Sequence, residues 1–595
     1  MDLQTFYRQR IADFSTIEKE CIARDRKLPF YRLLVMLVGI VLFVCLFQNW
    51  IFVAILEGVI FTIFFIITVR IDRQNSSKRK ECEVLVMLNE NEINCLNGNS
   101  DFFDDGKRFK TELHPYAHDL DIVGPSSLFQ FINRTTLPKS SELLASWLLY
   151  PAGNAEIKSR NEAVKELGPK IDWRQRVFFK GFSLKKNENA LPRLLNWVKS
   201  STALSFSKAY MMMCKLLSAM TLVSIGLAFV FPIGWWLAAL IFLHLIIIRR
   251  ANPIVKRSHQ EVSDNSNVLK IYHEVLQLIE NESFDSSKLK DLKALLHSDY
   301  RLASKEIKKL SGIVDDFDVR YNVYVHPFLN ILLFWDIHQV SRLDKWKQRN
   351  ANLEQWFDSV AGFEALSSFA NFHFNNPDYC FPTMSDKHFV FIANQLGHPL
   401  IVETVRVCND FSMDGTAKVI LISGSNMSGK STFLRTLGIN MILAMAGSCV
   451  CARDFVFSPV RILSSMRISD SLKDNTSTFF AELKKIESII KEVENNQKVF
   501  FLLDEILRGT NSIDRHIGST ALIKQFIANH AVGIIATHDL ALTEMKNDFP
   551  TNIENYNFNI KINGDELYFD YLLNQGVCTS MNASILMRKM GIKGI

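Results

Sequence analysis

The sequence predicts a mostly parallel α/β domain at the C-terminal end, preceded by an all-α region, with two transmembrane helical hairpins set into the N-terminal two-thirds. Three observations carry this expectation. Short apolar runs alternate with helical stretches from about Lys418 onward. A glycine-rich loop follows the first of those runs directly. Two long apolar segments, Leu33 to Val69 and Leu216 to Ile248, interrupt an otherwise charged and helix-patterned chain.

The elements follow in this order: an N-terminal cytoplasmic helix (1–29), a transmembrane hairpin (30–70), a cytoplasmic linker (71–110), a first helical core segment (111–210), a second hairpin (211–250), a second helical core segment (251–400) and the α/β domain (401–595). The chain has 595 residues, too many for one core, and the length suggests roughly three or four domains. A hydrophobic share of 48% against 22% charged excludes a disordered or fibrous chain. The net charge of +6 is small, so any nucleic-acid contact would need a local basic patch. Ten scattered cysteines include no C-x-x-C pair, and Cys449 and Cys451 lack partners at zinc spacing, as in a reduced intracellular protein. The first twenty residues are polar and helix-prone, without the apolar stretch of a cleavable signal.

Each apolar segment reads as two helices with a short connection, close to the roughly 20 residues that cross a bilayer. Arg24, Arg26, Lys27 and Arg32 precede the first pair, and Arg70, Arg73, Lys78, Arg79 and Lys80 follow it. Lys208 and Lys215 precede the second pair, and Arg249, Arg250, Lys256 and Arg257 follow it. The turns carry no Lys or Arg, which places both termini and the α/β domain in the cytoplasm. Trp50, Trp235 and Trp236 fall at the turns, where an interfacial belt would lie. The competing reading is a pair of buried helical hairpins in a soluble core. Glu57 and His244 lie inside the apolar runs and suggest helix packing rather than chemistry.

Residues 71–110 suggest a helix and then a surface loop, His114 to Leu167 looks helical, and 255–370 shows apolar spacing of three and four. Strands are expected at Lys418–Ser423, Val499–Leu503 and Gly533–Ala536, and a hairpin around Asn563-Gly564-Asp565.

The chemistry concentrates in three motifs. Gly424-Ser425-Asn426-Met427-Ser428-Gly429-Lys430-Ser431-Thr432 fits GxxxxGK[ST] between a strand and a helix. Its backbone N–H groups cradle phosphates, Lys430 neutralises them and Ser431 ligates Mg²⁺. The run from Val499 ends in Asp504-Glu505, an apolar strand carrying an acid for the Mg²⁺ shell and a second acid to polarise water. His538 follows a third strand and is placed to sense the γ-phosphate of ATP.

With their neighbours, these motifs resemble the MutS family. The loop from Gly424 through Arg435, Asp504-Glu505-Ile506-Leu507-Arg508-Gly509-Thr510 and Ala536-Thr537-His538 are similar to that family's nucleotide motifs. Ser477-Thr478-Phe479-Phe480-Ala481-Glu482 resembles the signature segment that reaches the partner's γ-phosphate across a dimer, which implies Ser477 as a contact in trans. Upstream, His114-Pro115, Asp119 to Gly124, Leu128-Phe129-Gln130, Asn133 to Thr136, Phe363 to Leu366, Asn376 to Pro382 and Gly397 to Leu400 resemble the family's helical core. The resemblance covers about Phe109 onward. It implies a P-loop ATPase domain of ABC/MutS-like fold, C-terminal dimerisation helices, a homodimer, ATP and Mg²⁺ as ligands, and DNA as partner. It does not identify the adenine-stacking residue, for which Val402 to Phe411 is the stretch to inspect.

Departures limit what carries over. No Phe-x-Glu wedge occurs in the first hundred residues, where an apolar hairpin stands instead. The second hairpin lies where the core would hold a DNA clamp, and no nuclease-type domain is expected before Ile595. Three functions remain open: a membrane-anchored, DNA-linked ATPase switch; a transporter ATPase, for which four short spans are few and an LSGGQ-type signature is wanting; and a membrane scaffold that no longer reads mismatches. The basic clusters Lys305, Lys308 and Lys309, and Arg342, Lys345, Lys347 and Arg349, are read as solvated helix faces.

Overall fold

The computed structural model describes residues 2–47, 50–111, 114–183, 190–199, 206–263, 266–298, 301–350, 353–467, 478–495, 498–563 and 566–578. They fall into two compact units: Met1–Phe131, Asn375–Ile442 and Val450–Ile595 form one, and Ile132–Phe374 with Leu443–Cys449 forms the other.

In the first unit, the helices Leu3–Phe47 and Ile51–Leu96 make one long antiparallel hairpin. The boundaries expected near residues 29 and 71 are not breaks, because polar helix and apolar helix run on without interruption. Small residues let the apolar halves approach: a Cβ at Gly39 would lie 2.3 Å from the Phe61 ring. At the polar end, Tyr7 Oη donates to Asn375 Oδ1 at 2.6 Å, and Asn375 Nδ2 donates to Glu92 Oε2 at 2.8 Å.

The six-stranded sheet explains itself from sequence. Val419–Gly424, Val499–Asp504 and Val532–Thr537 are buried along their whole length, so they read as continuous apolar runs. The strand order is Glu566–Gln575, Ile553–Asn563, Val419–Gly424, Val532–Thr537, Val499–Asp504, Arg461–Ser465. The last five pair in parallel, and Glu566–Gln575 closes the edge antiparallel. Residues 564 and 565 of the expected turn lie outside the described residues. The parallel strands end together, which brings the loops after residues 424, 504 and 537 to one edge of the sheet.

Gly533 shows how tightly two of these strands meet. A Cβ there would lie 2.2 Å from the Phe501 ring on the paired strand, and Phe501 is held by Phe526 at a centroid distance of 4.4 Å. Gly533→Ala is therefore expected to destabilise the protein by about 1–3 kcal/mol through overpacking. A thermal melt of the detergent-solubilised full chain checks this, and an unchanged midpoint would contradict the packing.

Two parts of this unit depart from the sequence expectation. A second sheet joins Thr383–Met384, Asp454–Phe457, Val390–Leu396 and Asn409–Asp414, none of them foreseen. The stretch after His114 is a series of turns up to Leu128 rather than helix, interrupted by Pro115, Gly124 and Pro125. It belongs to this unit and not to the helical one. Asp119, only 1% exposed, anchors it: Oδ2 accepts from Lys485 Nζ at 2.5 Å and Ser464 Oγ at 2.8 Å, and Oδ1 accepts from the Arg467 amide at 3.1 Å. A buried carboxylate persists when its lone pairs are spent on donors in this way. Arg467 also forks onto Asp121 at 2.6 and 2.9 Å.

The second unit is helical. The helix Leu353–Phe374 is its axis, buried along most of its length. Glu364 is fully enclosed there and accepts from Thr136 Oγ1 and from the Thr136 and Leu137 amides, so burial raises its pKa against those bonds. The helices Lys208–Ala228 and Gly234–Val262 form the second apolar pair. All four apolar helices are long and apolar enough to cross a membrane by length and composition.

Candidate functional site

The loop between Val419–Gly424 and the helix Lys430–Ala446 builds the site from its backbone. Gly429 has φ 103° in the left-handed region, and a Cβ there would lie 3.0 Å from Tyr571 Cδ1. Conformation and space both require glycine. Met427 also takes a left-handed φ of 67° and is 75% exposed at the loop tip beside exposed Asn426. Ser425 is half-buried and Thr432 is exposed on the first turn of the helix. The Ser428 hydroxyl is buried without a hydrogen-bond partner.

Lys430 is 5% exposed and bends back over the loop. Its Nζ donates to the carbonyls of Gly424 at 2.9 Å and Ser425 at 2.8 Å. Burial lowers its pKa, and the nearby Glu505 and Asp504 oppose that shift. Ser431 Oγ donates to Asp504 Oδ2 at 2.5 Å. Asp504 Oδ1 is buried and unpartnered. A hydroxyl beside a carboxylate with one unspent buried oxygen suits a hard cation that takes oxygen ligands, so Ser431 and Asp504 fit Mg²⁺.

Glu505 sits past the strand end with φ 52°, and Leu507 follows with φ 59°. Left-handed conformations of this kind cost on the order of 1–3 kcal/mol each for residues with side chains. Two bonds hold the turn: the Glu505 amide donates to Ala536 O at 2.9 Å, and the Leu507 amide donates to Glu482 Oε1 at 2.5 Å. Glu482 lies on the helix Thr478–Glu494, which thereby grips the loop after Asp504. Phe479 on the same helix packs against Gly509, where a Cβ would lie 2.6 Å from Phe479 Cβ. Ser477, expected to act in trans, lies outside the described residues, as do the expected dimerisation helices beyond Cys578.

His538 Nε2 approaches Glu505 Oε1 at 2.7 Å and Lys430 Nζ at 3.3 Å. One ring nitrogen cannot donate to the carboxylate and accept from the ammonium together. The shorter contact, and the acceptor-only carboxylate, assign the proton to Nε2 and the bond to Glu505. That bond, ahead of the Arg508 and Lys430 charges, holds the Glu505 carboxyl below the ordinary glutamate range against burial. Such a group stays ionised down to its lowered folded pKa; the stabilisation it contributes is full above the ordinary glutamate value and is lost as pH falls from there through the folded pKa. His538→Gln is expected to raise the Glu505 carboxyl toward the ordinary glutamate value. A pH titration of the Glu505 carboxyl by NMR checks the direction; a pKa left in place would contradict the assignment.

Arg508 was legible in the sequence only as part of a motif. Its Nε meets Glu505 Oε2 at 3.0 Å, and its Nη2 lies 3.7 Å from Asp504 Oδ2. The three-residue step from Glu505 is the signal that points to it.

Beside the loop, a cavity of about 350 Å³ opens between Lys430, Ser431 and Glu505 on one side and Ile401, Val405 and Val407 on the other. The last two, with Asn409, fall within the stretch flagged for the adenine contact. Tyr571 and Phe433 complete the apolar wall. His398 also lines the cavity, and burial, then Arg435, push its pKa down to about 4, so the ring is neutral near pH 7. One polar, cationic end and one apolar end suit a phosphorylated ligand carrying a flat ring.

Comparison with known proteins places this region. Residues 420–590 match MutS domain V. The DNA mismatch repair protein MutS of Thermotoga neapolitana is 33% identical over 204 residues, 34% of this chain and 25% of that protein. The corresponding protein of Chlorobium phaeovibrioides is 31% identical over 229 residues, 37% of this chain and 26% of that protein. A longer, weaker likeness joins the chain to the MutS protein of Thermotoga maritima, 24% identical over 492 residues, 76% of this chain and 59% of that protein. The chain thus spans about a quarter of the length of the first two relatives and 59% of the third. The family match covers residues 420–590, which include the loop from Gly424 to Thr432, Asp504-Glu505 and His538.

Proposed function

We propose that this chain is a membrane-anchored ATPase of the MutS family that binds and hydrolyses ATP at the loop from Gly424 to Thr432 and uses the cycle to switch a homodimer. One observation carries the reading: Lys430, Ser431 and Glu505 line one cavity, and Asp504 and His538 are bonded directly behind them, although the five residues follow three different strands.

The roles follow from the contacts. The loop amides and Lys430 receive the triphosphate, and Lys430 exchanges the Gly424 and Ser425 carbonyls for phosphate oxygens. Mg²⁺, when bound, neutralises developing charge on the phosphates. Ser431 and Asp504 would hold it, with the unpartnered Asp504 Oδ1 available. Glu505 accepts the proton of the attacking water, and its lowered pKa keeps it ionised for that task. His538 orients Glu505 and reports the terminal phosphate to the strand Val532–Thr537. The apolar wall of Val405 and Val407 takes the adenine ring. The helix Thr478–Glu494, joined to the Glu505 turn by Glu482, carries the site's state toward the dimer signature.

The membrane reading rests on four apolar helices with exposed aliphatic surfaces and on basic flanks. ATP turnover is tested by phosphate release from the purified full chain in detergent with Mg²⁺. Turnover that saturates with ATP is expected; no release above a protein-free blank would defeat the reading.

A second reading, a membrane-associated ATP-dependent scaffold that does not recognise mismatches, is favoured by one observation. The stretch 2–96, where a mismatch reader would stand, is a helical hairpin with an exposed apolar half. Anisotropy of labelled matched and mismatched duplexes separates the two. Phosphate-borne DNA binding weakens steeply between about 50 and 200 mM salt, whereas a scaffold binds neither duplex at the low-salt end.

A further inference from the structure

Within the helical unit, the chain from Asp318 to Phe334 climbs along the helix Gly234–Val262, and its contacts give the direction. His259 Nε2 meets Asp318 Oδ1 at 3.0 Å and its ring meets Tyr321 edge-on at 5.1 Å. Further along, Arg320 Nη2 donates to Asn252 Oδ1 at 2.8 Å. Deepest, His244 Nδ1 donates to the Ile331 carbonyl at 2.5 Å, and its ring lies on Phe334 at 4.2 Å. From residue 259 to residue 244 is a rise of about 22 Å at 1.5 Å per residue. His244 stands five residues past Arg249 toward the hairpin turn, about 7.5 Å beyond the basic flank. The short helix His326–Leu333 packs against both helices of the second hairpin, and Phe334, with φ 51°, turns the chain into Trp335–Arg349.

The polarity of this segment is inverted relative to a water-exposed one. His326, Asn330 and Arg320 turn inward onto Asp336 of the following helix: buried Asp336 takes His326 Nε2 at 3.1 Å and Asn330 Nδ2 at 3.3 Å, with Arg320 Nη1 at 3.7 Å, while exposed Asn322 spends its Oδ1 on the Tyr324 and Val325 amides. Four of its apolar side chains face outward: Tyr321, Val323, Tyr324 and Phe328 are 66%, 80%, 86% and 69% exposed. The buried imidazole of His244, inside an apolar hairpin, finds its acceptor in the same segment. Polar groups paired inside and aliphatic or aromatic groups outside is the arrangement that an apolar solvent selects, with tyrosines at the headgroup level.

We infer that residues 319–334 form a fifth membrane-contacting element, an interfacial segment inserted into the cytoplasmic leaflet beside the second hairpin, with lipid acyl chains covering Val323, Tyr324 and Phe328. This rests on the membrane reading of the hairpins. The committed occupant is lipid because the exposed apolar faces of both hairpin helices, including Leu216, Val223 and Phe242, continue the same surface. Whatever solvates one solvates the other.

The test is photo-crosslinking in proteoliposomes of phosphatidylethanolamine and phosphatidylglycerol, with p-benzoylphenylalanine placed singly at Phe328, at Val223 in the hairpin and at exposed Ile517 in the α/β domain. All three positions are exposed, so the probe replaces no core contact. Lipid adducts by mass spectrometry at Phe328 and Val223, at least roughly ten-fold above Ile517, are expected for a segment buried in the interface. Lipid adducts at Val223 with none at Phe328, or with Phe328 joined to a second copy of the chain, would overturn the segment's placement and leave the hairpins in the membrane. Lipid adducts at neither position would overturn the membrane reading, and this inference with it.

Discussion

If the proposed ATPase reading holds, replacing Glu505 with glutamine is expected to lower ATP turnover by roughly 10²–10⁴-fold, the range for loss of a positioned general base, and to leave nucleotide binding in place. The amide keeps the size of the carboxylate and removes its basicity. The side chain makes no hydrogen bond to the loop Gly424–Thr432; its partners are His538 at 2.7 Å and Arg508 at 3.0 Å. Phosphate binding therefore loses no donor, and the defect falls on kcat rather than on affinity. Phosphate release at saturating ATP, beside a binding titration, separates the two. Equal loss of affinity and turnover would mean that Glu505 holds the nucleotide instead of the water.

Lys430→Ala weakens ATP binding by roughly 10- to 150-fold, which corresponds to the ~1.5–3 kcal/mol of a hydrogen bond to a charged group. The ammonium is 5% exposed and satisfied by two loop carbonyls. Burial already lowers its pKa, against the pull of Glu505 and Asp504, so an anion arriving beside the partly desolvated ammonium gains more than it would at a surface. Lys430→Arg does not rescue, because a planar fork cannot enter a site shaped for a point charge. A fluorescent-nucleotide titration of each variant, with a thermal melt to show that the fold persists, checks this. Affinity unchanged in Lys430→Ala would remove the loop from the phosphate site.

The proposed nucleotide site could be read from the sequence because its motifs are local. Gly424 to Thr432, Asp504-Glu505 and His538 each follow a fully buried strand, and a run such as Val499 to Leu503 has few other meanings beside a glycine-rich loop. Parallel pairing then brings the three strand ends together, which no single motif states. In the second sheet, Thr383–Met384 and Asp454–Phe457 are too short for a periodicity to register, and Val390–Leu396 lies within the stretch read as helical core. The turns after His114 fall in a stretch read as helical up to Leu167, where Pro115, Gly124 and Pro125 break the helix; Leu120 is fully buried there, beside Gly438 on the helix Lys430–Ala446. The segment 319–334 passed as one more amphipathic helix. Its signal lies in which face the polar groups take, and that is visible only once Asp336 is seen paired inward.

Isothermal titration of ATP into the detergent-solubilised full chain, with and without Mg²⁺, is the most direct test of the site, run on the wild type and on Asp504→Asn. Saturable heat at one nucleotide per chain is expected, with Mg²⁺ tightening binding in the wild type and losing that effect in the variant. Absence of binding heat, or a Mg²⁺ dependence that survives the loss of the Asp504 carboxylate, would contradict a magnesium–triphosphate site at the end of this sheet.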